Sequence, residues 1–191
     1  MNLYAALLIA LSGLWIAFEI GLVVRDRIQG RGKAMKDRGT FYINFLAIAA
    51  GMTIAGSISG NPAFFFSGGR TIIVFWIGTA VMLMGLGLRI WAIATLGSSF
   101  RTTVETHRGQ KVISNGPYRL VRHPSYSGLL LTGCGYGIAI QNWLSLIFAV
   151  ALPLAALLYR IHIEERVMVD SLGTEYTEYR QRTKKLIPWI W

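Results

Sequence analysis

Cysteine is almost missing from this chain. Its 191 residues include one, Cys134, so no intrachain disulfide can form and no cysteine-ligated metal site is expected. Charge is also scarce, at 15% of residues against ~25% in a soluble domain, and acids are the rarer sign, with 9 Asp and Glu against 19 Lys and Arg. There is no GxGxxG, no phosphate-binding P-loop, no HExxH and no serine nucleophile elbow. Dinucleotide binding by a Rossmann turn, P-loop nucleotide hydrolysis, zinc-dependent proteolysis and serine hydrolysis therefore have no sequence support. No internal repeat or low-complexity linker divides the chain.

What is abundant is apolar sequence. Hydrophobic residues make up 53% of the chain and the mean hydropathy is +0.48. They are blocked into five runs, residues 3–24, 41–58, 71–96, 127–140 and 143–161. Crossing a bilayer takes ~20 apolar residues. The fourth run is short of that and draws length from Tyr126 on one side and Gln141-Asn142 on the other. The same Gln141-Asn142 turn makes runs four and five an antiparallel hairpin. The first run lacks a basic segment ahead of it and is long enough to span, so it reads as a retained helix and not as a cleaved signal. The expected fold class is all-α: an integral membrane protein of about five transmembrane helices, the last two a helical hairpin, with a cytosolic C-terminal helix. Two divisions are expected, residues 1–70 with the first two helices and a basic loop, and residues 71–191 with the functional core.

The net charge of +10 is distributed as a topology signal. All of the Lys and Arg except Arg70 and Arg89 fall in residues 25–38, 101–122 and 160–185, which share one side if the five runs span. The positive-inside rule puts that side in the cytosol. Basic residues flanking spans, with no single basic soluble face, argue against nucleic acid and for contact with the lipid bilayer. Cys134, among Gly133, Gly135 and Gly137, reads as a small packing residue. These glycines, with Gly78 and Gly85, suit close helix approach.

The cytosolic side holds the chemistry. Residues 97–126 form a loop of a length that is uncommon without a function, carrying Glu105, His107, Tyr118, His123 and Tyr126. Its end, residues 115–128 (NGPYRLVRHPSYSG), sets cationic and ring-bearing side chains between rigid points at Gly116, Pro117, Pro124 and Gly128. Arg160 and Glu164, four apart, share one face at the end of run five. The hairpin brings them level with His123 and Tyr126, so a polar cluster forms at the membrane edge, suited to a charged small molecule under a lipidic roof. Taken singly, each member has an ordinary use. Arg160–Glu164 serves equally as a helix ion pair, His123 as a loop hydrogen-bonder, Tyr118 and Tyr126 as interfacial rings, and Arg122 as a topology anchor. Arg89, inside run three, either snorkels to the cytosolic interface or faces inward to pair with Glu19 or a ligand carboxylate, and these readings stand. Residues 164–185 read as a mixed-charge helix ended or bent at Gly173, with Trp189 and Trp191 as interfacial anchors.

At this point the residues resemble a known family. Arg122-His-Pro-Ser-Tyr-Ser-Gly128, preceded by Gly116-Pro-Tyr118 and followed by Glu164-Glu165, is similar to the isoprenylcysteine carboxyl methyltransferases, in a superfamily that includes phospholipid N-methyltransferases. Leu88-Arg-Ile-Trp-Ala92, Thr95-Leu-Gly97 and Gly173-Thr-Glu-Tyr-Thr-Glu-Tyr179 extend the match in order over roughly the last 110 residues. The resemblance implies an integral membrane methyltransferase using S-adenosyl-L-methionine in a cytosol-facing pocket that is not of the Rossmann type. Carried over by position, the cofactor contacts are Gln110, Lys111, Val112, Ile113, Tyr118, His123, Pro124, Ser125 and Tyr126. Gln110 stands where eukaryotic members often carry His. The catalytic or substrate-orienting pair falls on Arg160 and Glu164, with Glu165 in support. His162 and Ile163 replace part of a longer acidic run. No metal is implied. The acceptor is lipidic or prenylated, and a phospholipid amine or small thiol is the rival acceptor. A sterol-reductase-like enzyme and an inactive scaffold are rivals of other classes. Small size and compact loops point to a prokaryotic plasma membrane.

Overall fold

The computed structural model describes residues 3–29, 39–66, 71–102 and 112–191. Six α-helices follow in order: α1 Leu3–Ile28, α2 Thr40–Ile58, α3 Ile72–Leu96, α4 Pro124–Ile140, α5 Trp143–Leu172 and α6 Thr174–Arg182. Among the described residues, four segments are long and apolar enough to cross a membrane, namely Leu3–Ile28, Thr40–Ile58, Ile72–Ser99 and Trp143–Leu172. The fourth run becomes α4, whose 17 residues fall below that length. At ~1.5 Å per residue it covers ~25 Å, somewhat less than a bilayer core. Large apolar side chains such as Leu14, Leu46 and Ile73 point outward, as helices facing lipid require.

Glycine sets the tightest packing. Gly78 and Gly85 of α3 meet Gly135 and Gly128 of α4, two pairs seven residues apart on antiparallel helices. A methyl group on Gly135 would lie 2.2 Å from the backbone nitrogen of Met82, and one on Gly85 would lie 2.4 Å from that of Thr132. Only hydrogen fits, so the two backbones touch along a seam, the way small residues drive association where lipid offers no hydrophobic drive. On its other face α4 meets α5. Pro153 has no N–H for the Ala149 carbonyl one turn back. Gly133 sits against that carbonyl oxygen, where a Cβ would come within 2.6 Å.

Packing runs α1 on α3, α3 on α4, α4 on α5, and α5 on α2. α1 and α2 therefore stand at the two ends of the series. Contacts at the far end join Asn142 to the carbonyls of Ile58 and Asn61, and the Gln141 side chain to the Thr71 amide. The hairpin turn is as tight as its sequence indicates. Gln141 adopts φ 62°, and Asn142 caps α5 by accepting from the Ser145 amide.

At the near end α5 runs on beyond its apolar part to Leu172. The mixed-charge stretch 164–185 is not one helix. Gly173, at φ 60° and ψ −127°, breaks it and starts α6, a backbone region glycine tolerates and other residues avoid. After α6 the chain lies beside the RHP segment. The amides of Arg122 and His123 donate to the carbonyls of Lys184 and Lys185, and the Ser127 hydroxyl donates to Leu186. The C-terminal strand of chain thus straps the start of α4. Ile187, Trp189, Ile190 and Trp191 beyond it are exposed.

Candidate functional site

A cavity of about 730 Å³ opens at this end, between α1 and α2. Its inner wall is polar: Tyr118, His123, Ser125, Tyr126, Arg160, Glu164, Tyr176 and Tyr179. Its outer part is apolar, made by one face of α1 (Ile16, Ile20, Val24) and one of α2 (Phe45, Ile48, Met52). Ile16, Ile20, Val24 and Phe45 are about half exposed as well as cavity-lining, so the apolar part communicates with the outer, lipid-facing surface.

The RHP turn is built locally. Pro124 is the first residue of α4, where its missing N–H costs nothing, and it is fully buried. His123 and Tyr126 flank it, and their rings stack with centroids 5.5 Å apart and planes within 6°. His123 lies between two carboxylates, Nδ1 3.9 Å from Glu164 and Nε2 3.4 Å from Glu165. Glu165 also pairs with Arg122 at 2.8 Å, and Arg122 reaches the carbonyls of Arg180 and Thr183 at the end of α6. Arg122 is therefore more than a topology anchor. It ties the turn, α5 and α6 together.

Arg160 and Glu164 do share a face, but the structure does not bring them together as a plain ion pair. The Tyr126 hydroxyl stands between them, accepting from Arg160 Nε at 2.7 Å and donating to Glu164 Oε2 at 2.8 Å. Arg160 is buried and also donates to the Thr40 hydroxyl at 3.2 Å and to the Thr102 carbonyl at 2.7 Å. Tyr118, Tyr176 and Tyr179 form an aromatic wall, and the Tyr179 hydroxyl donates to the Tyr118 carbonyl at 2.8 Å. Burial raises the pKa of all three phenols well above the ordinary tyrosine value, and the Glu164 charge adds to this at Tyr118 and Tyr176.

The readings of Arg89 resolve toward pairing with Glu19, the side chain being buried and not snorkelling. Its guanidinium meets Glu19 with two hydrogen bonds, at 2.5 and 2.7 Å, and its third contact point holds the Ser125 hydroxyl at 2.8 Å. Glu19, Arg89 and Ser125 all border the cavity, so the pair also shapes its wall. Of the residues carried over from the family, Val112, Ile113, Tyr118, His123, Ser125, Tyr126, Arg160 and Glu164 border the cavity. Pro124 is fully buried and does not line it. Gln110 and Lys111, with Glu105 and His107, lie outside the described residues. Sequence reasoning missed Thr40 and Thr102. Neither stands in a motif, and only their placement against Arg160 marks them.

Fold and cavity together define a multi-pass integral membrane protein with a polar pocket at one end of its helices and an apolar cleft leading out of it. Residues 76–170, about half of the chain, match the profile of the isoprenylcysteine carboxyl methyltransferase (ICMT) family. Protein-S-isoprenylcysteine O-methyltransferase B of Arabidopsis thaliana is 32% identical over 121 residues, 61% of this chain and 61% of its own. The protein-S-isoprenylcysteine O-methyltransferase of Tribolium castaneum is 33% identical over 135 residues, 66% of this chain and 46% of its own. A solved structure of the eukaryotic intramembrane Ras methyltransferase ICMT superposes with a TM-score of 0.56 at 30% identity, covering 78% of this chain and 62% of that one. The chain thus spans less than two thirds of the length of these relatives.

Proposed function

We propose that this protein is a membrane-embedded carboxyl O-methyltransferase that uses S-adenosyl-L-methionine and esterifies the carboxylate of an isoprenylcysteine-type lipidic acceptor. The observation that carries the reading is one cavity holding the Arg160–Tyr126–Glu164 relay beside stacked rings, with an apolar cleft leading from it. The printed names of the relatives supply the acceptor class.

The cavity fits the cofactor in size and chemistry. Rings at Tyr118, Tyr126 and Tyr176 offer faces to a sulfonium cation, and Glu164 offers compensating charge. Val112, Ile113, His123, Pro124 and Ser125 complete the proposed binding set, together with Gln110 and Lys111. When bound, S-adenosyl-L-methionine supplies an electrophilic methyl group. Arg160 holds the acceptor carboxylate, which is already ionised at pH 7 and needs no base. Tyr126 and Glu164 fix the orientation of Arg160. Burial of the polar wall excludes water from the reacting groups. The prenyl tail lies in the cleft between α1 and α2 and arrives sideways from the bilayer. Basic segments on the same side as the pocket favour a cytosol-facing site, and the compact loops favour a prokaryotic plasma membrane.

The test has two arms on detergent-purified protein. Calorimetric titration with S-adenosylhomocysteine should give binding that is lost in His123→Ala. Transfer of a labelled methyl group should yield a base-labile ester on an S-prenylcysteine and no product on a phospholipid amine. Absence of binding to folded protein would overturn the cofactor assignment, and an NADPH titration would then examine the reductase alternative. Binding with label appearing only on the amine would overturn the acceptor.

A further inference from the structure

The first two helices precede the region matched by the family profile, yet both reach the polar end of the cavity. From the contacts they make there, we infer that Asp26 of α1 and Thr40 of α2 are positioning residues for Arg160, Asp26 acting through the backbone of Thr102. The inference rests on the reading of Arg160 as the residue that holds the acceptor.

Asp26 closes α1 and is 2% exposed. A carboxylate that deeply buried needs strong partners. One oxygen takes the Arg25 guanidinium at 2.8 Å, and that guanidinium lies over the Phe100 ring at 5.3 Å. The other oxygen accepts the Thr102 amide at 2.7 Å. On the opposite side of the same residue, the Thr102 carbonyl accepts Arg160 Nη2 at 2.7 Å. Thr102 is thus gripped at both backbone groups, by a carboxylate 76 positions earlier and a guanidinium 58 positions later.

Thr40 supplies a second grip. It is 0% exposed, and its hydroxyl faces Arg160 Nη1 at 3.2 Å. One turn along α2, the Asn44 side chain donates to the Thr40 carbonyl at 2.8 Å and steadies this first turn. Tyr126 on α4 holds the remaining nitrogen, Nε. Three elements thus fix the plane of one guanidinium, which matters because a planar two-hydrogen-bond grip on a carboxylate tolerates little rotation.

The experiment uses the full-length protein, labelled S-adenosyl-L-methionine and an N-acylated S-farnesylcysteine as acceptor. Thr40→Val and Asp26→Ala should each lower kcat/KM for the acceptor about tenfold, the scale of one hydrogen bond to a charged group, with S-adenosylhomocysteine affinity held within about twofold. Asp26→Asn keeps an oxygen for the Thr102 amide and should recover most of the loss. In an Arg160→Lys background the same changes should add less than about twofold, because they act through the group already altered. If Arg160→Lys is impaired and the losses multiply in full, the inference is overturned while Arg160 keeps its role. If Arg160→Lys is fully active, or the wild type leaves the acceptor unmethylated, the functional reading fails first and takes the inference with it. Should Asp26→Ala not fold, Thr40→Val, a near-isosteric change, carries the same comparison.

Discussion

Replacing Tyr126 by Phe would separate the ring from the hydroxyl at the centre of the site. The hydroxyl makes two hydrogen bonds, to Arg160 at 2.7 Å and to Glu164 at 2.8 Å, both with charged partners. Each such bond contributes about 1.5–3 kcal/mol. Their loss is partly offset, because Arg160 and Glu164 are four residues apart on α5 and can close on each other, a gain of about 0.2–0.5 kcal/mol. Disorientation of Arg160 should leave a net deficit of about 2.5 kcal/mol in transition-state stabilisation at the lower end of that range, or about 70-fold in kcat/KM. The phenyl ring still stacks on His123, so S-adenosylhomocysteine affinity should change by less than about twofold. Tyr126→Ala, by contrast, should lose affinity as well. Calorimetry and a methyl-ester assay on the same preparations measure both quantities. Full kcat/KM in Tyr126→Phe, or an affinity loss equal to that of Tyr126→Ala, would refute the division of labour between ring and hydroxyl.

The seam between α3 and α4 predicts a contrast of glycines. Gly135→Ala places a methyl 2.2 Å from a backbone nitrogen and should destabilise by about 3 kcal/mol, whereas Gly87→Ala meets nothing within 4 Å and should be neutral or stabilising by up to about 1 kcal/mol. Thermal unfolding in detergent ranks the two, and the reverse order would contradict the seam. The buried phenols predict an alkaline limit. The folded-state pKa values of Tyr118, Tyr176 and Tyr179 are raised above the unfolded value of about 10, so the stability they contribute is complete below that pH and is lost as pH climbs past it. Absorbance at alkaline pH should show at least these three of the eight tyrosines titrating only on unfolding. Their titration in the folded protein near the ordinary value would disprove the burial argument.

Much of this architecture is legible along the chain because membranes impose one-dimensional rules. Apolar run length and the side preference of Lys and Arg mark the helices and their ends without knowledge of partners. Gln141-Asn142 alone predicts the hairpin that sets His123 and Tyr126 beside Arg160 and Glu164, since a tight turn leaves antiparallel neighbours no alternative. Gly173 declares its bend because few other residues adopt its backbone angles. What sequence periodicity cannot express is which side chain lies between two others. Arg160 and Glu164 are four residues apart and so appear as a pair, yet the tertiary approach of α4 inserts the Tyr126 hydroxyl between them. Glu19 and Arg89 are 70 positions apart, and only the packing of α1 on α3 joins them. Asp26, Thr40 and Thr102 carry no motif at all. Their roles exist only where three separate elements converge on one guanidinium, because hydrogen bonds depend on distances in space and not on spacing along the chain.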